Sequence, residues 1–347
     1  MTIFYHGVFI FIFLAAIVLT CNLFTNAIEH LGEKLHLGDS ATGSILAAIG
    51  TALPETILPL VAIIGSKLSG NLKDGIDIGT GSILGSSFLL STCALFISGL
   101  FFYYFFITKK RKEEFFVPYE NVIRDYKFFI FGYLTAIIST FIQSNSIKTI
   151  IGCFLICYWF FYVYRTLKNS ASDTEGENLE PLYILFFNRN LKTNFFWILF
   201  QTVLSLILLV VFSKLFVSEI QYFSNLTKVN PLLISLILSP VATELPEITN
   251  SIIWIKNNKD TLAISNITGA LVFQCSVCCS IGLIFTDWKF NNFAIVNILS
   301  VIFAAVTTLV LILKNKKLTP KALIFNAIWY FVFIGYVIFN VKNNLLL

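Results

Sequence analysis

The feature that most narrows what this chain can fold into is a succession of apolar runs, recurring from Val8 almost to the last residue. Several approach or exceed the roughly 20 residues that a helix needs to cross a bilayer. Charged residues are 12% of the 347, about half the roughly 25% of a soluble domain. Such a chain cannot hide its apolar surface from water by folding alone. Its solvent is lipid, and its class is an all-α membrane protein. Hydropathy places ten transmembrane helices near 5–28, 40–65, 77–107, 125–144, 147–166, 195–224, 230–255, 261–286, 292–313 and 321–341. The run from Val8 to Thr20 lacks the basic flank and small-residue cleavage site of a secretory signal and stays apolar to Ile28, so it reads as a retained first helix.

Charge distribution says more than the net +5, which is too small and scattered for nucleic acid. With those spans, most of the 24 Lys and Arg fall on one side of the membrane, led by Lys109 to Lys112 and by Lys314, Lys316, Lys317 and Lys321. The positive-inside tendency then puts both termini outside. The localisation that follows is a multi-pass integral membrane protein of the cell membrane. The polar stretch 168–194, with Asp173, Glu175, Glu177 and Glu180, reads as a cytoplasmic linker between membrane repeats at 1–167 and 195–347.

The chain repeats itself. At an offset of 192, Leu23-Phe24 lies over Leu215-Phe216, Thr51 over Thr243, and Leu53-Pro54-Glu55 over Leu245-Pro246-Glu247. At an offset of 184, Gly81-Ser82-Ile83-Leu84-Gly85-Ser86 lies over Ser265-Asn266-Ile267-Thr268-Gly269-Ala270. Halves of five spans each must enter the membrane from opposite sides, because five is odd. Inverted repeats of this kind place substrate sites near the midplane, where interrupted helices meet.

Glu55 and Glu247 each lie deep in an apolar span, where an ionised carboxylate is costly without a partner. The central parts of these helices hold no Lys or Arg, so a cation or a proton is left to neutralise them. Pro54 and Pro246 lack an amide hydrogen and free carbonyl oxygens of the preceding turn, near Gly50 to Thr51 and near Ala242 to Thr243. Carboxylate and carbonyl oxygens together suit a hard cation such as Ca²⁺, and two carboxylates balance one divalent charge. Glu244, three residues before Glu247, is either a further cation ligand or proton carrier, or a residue at a wet helix edge. Ser86, Ser87 and Gln274 add oxygen atoms on the glycine-bearing helices that pack against the motifs.

Other candidates carry less. Cys275, Cys278 and Cys279 superficially suggest a metal site, but no His is near, and small side chains for helix packing are the better reading. His6, His30 and His36 fall near membrane edges or loops. Asn22, Asn26, Gln201 and Asn250 suit interhelical hydrogen bonds.

At Gly50-Thr51-Ala52-Leu53-Pro54-Glu55 with Gly81 to Ser87, and again at Ala242 to Glu247 with Ser265 to Leu271, the chain resembles the calcium/cation antiporter superfamily, the sodium/calcium exchangers and their relatives. The resemblance implies ten helices, an outside N-terminus, and alternating access by sliding of the first and sixth helices. It also implies that Glu55 and Glu247 are the main divalent-cation ligands, joined by the backbone carbonyls of Thr51 and Thr243. Departures fall on the coupling ion. Family serines that help bind sodium correspond to Ala52 and Glu244, a further serine to Ala270, and polar or acidic positions to Leu90 and Gln274.

The expected function is a secondary antiporter exchanging a divalent cation, Ca²⁺ before others, for sodium or protons across the lipid bilayer. The metal-site residues are Glu55, Glu247, Thr51, Thr243, Glu244, Ser86 and Gln274, with no cofactor. Two alternatives stay open: an antiporter for Mn²⁺ or Mg²⁺, and a transport-inactive sensor or scaffold. An intramembrane enzyme using Glu244 and Glu247 as acid and base lacks a nearby His or activated nucleophile, and it leaves Glu55 unexplained.

Overall fold

The structure, a computed structural model, describes residues 2–34, 47–70, 72–111, 113–169, 181–184 and 194–342. Among these residues every regular element is helical. The first half contains α1 (Thr2–Lys34), α2 (Ala47–Ser69), α3 (Leu72–Leu89), α4 (Leu95–Ile107), α5 (Tyr119–Ile138) and α6 (Asn145–Asn169). The second contains α7 (Phe195–Thr227), α8 (Pro231–Lys256), α9 (Asp260–Phe273), α10 (Cys279–Phe285), α11 (Asn292–Asn315), α12 (Pro320–Phe325) and α13 (Ala327–Lys342). Eight helical stretches among the described residues, from Phe4–Ile28 to Pro320–Asn340, are long and apolar enough to cross a membrane.

α3 passes into α4 through a π-helical segment, Leu90–Ala94, and α9 passes into α10 through another, Gln274–Cys278. The two interruptions are 184 residues apart, the same offset at which the glycine-bearing segments align in sequence. π-segments are rare and concentrate at functional sites. Their recurrence shows the duplication in the backbone as well as in the residues.

α1 and α7 lie antiparallel along one flank. His6 Nδ1 is 2.6 Å from Glu219 Oε2 near one end, and Gln201 Nε2 donates to Leu23 O at 2.8 Å near the other. Gln201 Nε2 also donates to Asn26 Oδ1 at 3.0 Å, the interhelical role expected of both residues. Asn22 is exposed instead, and His30, expected at an edge, is buried. Most of the expected linker, 168–194, lies outside the described residues. Its short 181–184 portion is held by Tyr183 N donating to Asn26 Oδ1 at 3.1 Å and Ile184 N to Gln201 Oε1 at 2.8 Å.

Glycines decide how closely the motif helices approach α3. A Cβ on Gly81 would lie 2.5 Å from Leu232 O, and one on Gly85 would lie 2.3 Å from Leu236 O of α8. Gly79 faces Ile63 and Pro59 of α2 in the same way. Small residues are what let membrane helices pack this tightly. Cys275, expected as a packing residue, lies against Gly132 of α5, where an added Cβ would be 2.7 Å from its Sγ.

Two expectations are corrected. The fourth span's helix begins at Tyr119 rather than near 125, and its Asp125 is buried and satisfied: Tyr162 and Thr268 donate to it at 3.0 and 2.7 Å, and Arg124 pairs with it at 2.9 Å. Hydropathy penalises such a residue as if it met lipid. Arg111, counted above as an orientation charge in a loop, is also buried. Its Nη1 and Nη2 donate to Asp260 Oδ1 and Oδ2 at 2.6 and 2.9 Å, and its guanidinium lies over the Phe102 ring, 4.5 Å from the centroid. The residues after α4 are thereby clamped to the turn between α8 and α9.

Candidate cation site

α2 and α8 each carry two internal prolines, Pro54 and Pro59 in the first and Pro240 and Pro246 in the second. A proline inside a helix removes the hydrogen bond to the carbonyl four residues earlier. Pro59 therefore releases the carbonyl of Glu55, and its nearest donor is the Cys278 thiol, with Sγ at 3.9 Å. In α8 the Glu247 carbonyl accepts from Asn266 Nδ2 at 3.4 Å. The Glu55 carbonyl is thus met by the π-segment of the second half, whereas the Glu247 carbonyl is held by the neighbouring helix of its own half.

The side chains converge. One carboxylate oxygen from each of Glu55, Glu244 and Glu247 lies within 4.8 Å of the other two, and all three residues are buried. An ion centred among oxygens at that limit would sit about 2.8 Å from each, close to the roughly 2.3 to 2.6 Å of calcium–oxygen bonds. The wet-edge reading of Glu244 is excluded, since the residue is 0% exposed.

Glu244 is the most firmly oriented of the three. Thr243 Oγ1 donates to its Oε1 at 3.1 Å and Gln274 Nε2 to its Oε2 at 3.0 Å. The Ser86 hydroxyl also lies within hydrogen-bonding reach of it. Glu55 is different: among the described residues no hydrogen bond of ordinary geometry reaches either of its oxygens. The Gln274 Oε1 and the hydroxyls of Ser82 and Ser87 are likewise buried without a partner among the described residues. Buried polar atoms are nearly always satisfied, so those of Glu55 and Gln274, both beside Glu244, mark a place where something else binds.

The charge balance points the same way. The stretches 47–66, 74–107, 229–255 and 260–288 contain no Lys or Arg. Holding an acidic side chain at bilayer depth costs about 2.5 to 3.5 kcal/mol on insertion scales. Three of them together need compensating positive charge, and the chemistry of the cluster is to bind cations through hard oxygen atoms.

Of the residues expected from the sequence, Glu55, Glu244, Glu247, Thr243, Gln274 and Ser86 come together; the side chain of Thr51 lies outside the described residues. The Thr243 hydroxyl turns to Glu244 rather than to Glu247 one turn on. Asn266 and Ser82 were not singled out, although they occupy equivalent positions in the two glycine-bearing segments. Cys278, read only as a packing residue, lies four positions beyond Gln274. That spacing was the available signal for its approach to the site.

Comparison with known proteins adds to this geometry. The sequence profile of the family described as Sodium/calcium exchanger protein matches residues 5–168 and 197–339. The Inner membrane protein YrbG of Escherichia coli (strain K12) is 20% identical over 272 residues, 76% of this chain and 76% of that protein. The Sodium/potassium/calcium exchanger 4 of Mus musculus is 24% identical over 165 residues, 48% of this chain but only 24% of that protein, so the match spans about a quarter of this relative. Among solved structures, the H+/Ca2+ exchanger CAX superposes with a TM-score of 0.71 at 14% identity, covering 97% of this chain and 87% of the other. The sodium-calcium exchanger NCX_Mj, soaked with Na+ and Sr2+, gives 0.59 at 18% identity, covering 96% and 99%. At these identities the structural likeness establishes the fold.

Proposed function

From the premise that this chain belongs to the sodium/calcium exchanger protein family of membrane transporters, we propose that it is a secondary antiporter. It moves a divalent cation, Ca²⁺ before Mn²⁺ or Mg²⁺, in exchange for sodium or protons. The observation that carries the reading is the buried trio of Glu55, Glu244 and Glu247, drawn from both halves of the duplicated chain.

Glu55 and Glu247 hold the divalent ion in this reading, joined by the backbone carbonyls of Thr51 and Thr243, beside the Gly50 and Ala242 carbonyls that Pro54 and Pro246 leave without a helical donor. Glu55, to which no described residue makes a hydrogen bond of ordinary geometry, is open to a cation. Glu244 adds a third negative charge, and Gln274, Thr243 and Ser86 fix its direction. The first half offers no counterpart, since Ala52 and Leu90 stand at the positions of Glu244 and Gln274. Binding is therefore one-sided, and a sodium stoichiometry built on two symmetrical sets of ligands does not carry over.

The wider arrangement follows from the repeats. Residues 1–167 and 195–347 form two inverted halves of five spans joined by a cytoplasmic linker at 168–194, with both termini outside the cell membrane. α1 and α7, lying antiparallel on one flank, are the elements that slide to expose the site to each side in turn. Purified protein in sealed vesicles tests this. Ca²⁺ uptake should follow an imposed Na⁺ or pH gradient and be competed by Mn²⁺ more than by Mg²⁺, which sheds its water reluctantly. Absence of gradient-driven flux together with retained divalent-dependent thermal stabilisation would favour the sensor alternative.

A further inference from the structure

A second polar feature lies away from the carboxylates. α7 is free of charge from Phe195 to Ser213, and then presents Lys214, Ser218, Gln221 and Asn225. Spacings of three and four residues put these on one helical face. That face looks into a cleft of about 270 Å³ between α7 and α2, bordered on the α2 side by Val61, Gly65 and Ser66. Gln221 Nε2 donates to Ser66 Oγ at 3.1 Å, and Ser66 is 3% exposed, so the inner wall is a fixed polar surface.

Lys214 is the single charged residue lining the cleft. Among the described residues no carboxylate pairs with it; Glu219, the acid nearest along α7, is 2.6 Å from His6. Depth narrows what the lysine meets. Val61 and Gly65 lie six and ten residues beyond Glu55, or about 9 to 15 Å along the helix axis. Measured from a mid-depth carboxylate cluster, that reaches the outer part of a hydrocarbon layer about 15 Å thick on each side. A lysine there extends its ammonium toward the phosphates of the lipid head groups.

The rim fits the remainder of a lipid. Ile64 and Leu68 of α2 and Val211 and Leu215 of α7 are exposed apolar residues flanking the polar face. The cleft is slightly smaller than the roughly 300 Å³ at which pockets for drug-sized ligands begin. It therefore suits a small polar head with its chains left outside.

We propose that this cleft binds the phosphate-bearing head group of an anionic membrane lipid. Lys214 meets the phosphate, and the Ser218 hydroxyl and Asn225 amide meet the head group's polar atoms. The acyl chains run along the exposed apolar residues of α2 and α7. If α7 slides relative to α2, as the antiport reading has it, an occupied cleft ties the moving helix to the helix that carries Glu55.

Thermal unfolding of the full-length chain in neutral detergent tests the binding without any transport measurement, so a failed antiport reading would not disturb the result. The probes are dioctanoyl phosphatidylglycerol, dioctanoylglycerol and inorganic phosphate. Phosphatidylglycerol should stabilise the wild type and Lys214→Arg, and should bind Lys214→Gln about fivefold more weakly, as expected for one lysine at a charged lipid surface. Equal stabilisation by dioctanoylglycerol would mean that only the chains bind, and equal stabilisation by inorganic phosphate would mean a soluble-anion site. Either result overturns the proposal, as does unchanged affinity in Lys214→Gln. Should that variant fail to fold, the Ser218→Ala/Asn225→Leu double variant replaces it: weaker phosphatidylglycerol binding supports the proposal, and unchanged binding overturns it.

Discussion

Replacing Glu244 with Gln removes one of the three clustered charges and keeps the length of the side chain. Thr243 Oγ1, 3.1 Å away, still finds an acceptor in the new amide oxygen. Gln274 Nε2, 3.0 Å from Glu244 Oε2, then faces another NH₂ and must turn, presenting its unpartnered oxygen instead. The geometry survives while the charge falls. Two consequences of opposite sign follow. Ionised carboxylates within 4.8 Å of one another repel by about 3.5 kcal/mol or more at an effective dielectric constant near 20, so at a pH where they are ionised the ion-free variant should unfold a few degrees above the wild type. Removing one charged partner from a buried ionic cluster costs about 3 kcal/mol, so Ca²⁺ affinity should fall by about two decades. Thermal unfolding across a Ca²⁺ titration reads both effects. Wild-type affinity together with an unchanged ion-free midpoint would refute the placement of Glu244 in the site.

Gly85→Ala should destabilise the protein by about 3 kcal/mol, since its Cβ would lie 2.3 Å from Leu236 O and 2.6 Å from Cγ of the rigid Pro240 ring; an unchanged unfolding midpoint would contradict the α3–α8 packing. Arg111→Ala leaves Asp260 buried without its partner and should cost about 3 to 5 kcal/mol. Adding Asp260→Asn should recover part of that loss, and a double-mutant cycle without coupling would show the clamp to be energetically idle. Gln274→Leu copies the first half's Leu90 and strips Glu244 of a charged hydrogen bond. Divalent affinity measured by calorimetry should drop about tenfold, the scale of about 1.5 kcal/mol for such a bond.

The helical membrane class, the duplication and the pairing of Glu55 with Glu247 are legible from the sequence, because apolar length and repeated Leu-Pro-Glu report directly on lipid exposure and topology. Glu244 is less so. Its spacing from Glu247 places it on a neighbouring face, but only the approach of α2 to α8 decides whether that face meets solvent or Glu55. Asp125 and Arg111 were misjudged for a related reason. Hydropathy weighs a charge by its type, whereas burial depends on partners supplied by distant segments, here Thr268 and Asp260. The π-segments left no trace in apolar periodicity, since the spans that hold them are apolar on nearly every face and have no stripe for a bulge to displace. The polar face of α7 was hidden differently. Its residues are ordinary one at a time, and they acquire meaning only once α2 closes the cleft.

The most direct test of the central claim is Ca²⁺ flux into sealed vesicles under an imposed Na⁺ or pH gradient, comparing wild type with Glu55→Gln and Glu247→Gln. Gradient-driven flux in the wild type and its loss in both variants, with folding retained, is the predicted result. Flux that is absent from the wild type, or that persists undiminished without either carboxylate, would contradict it.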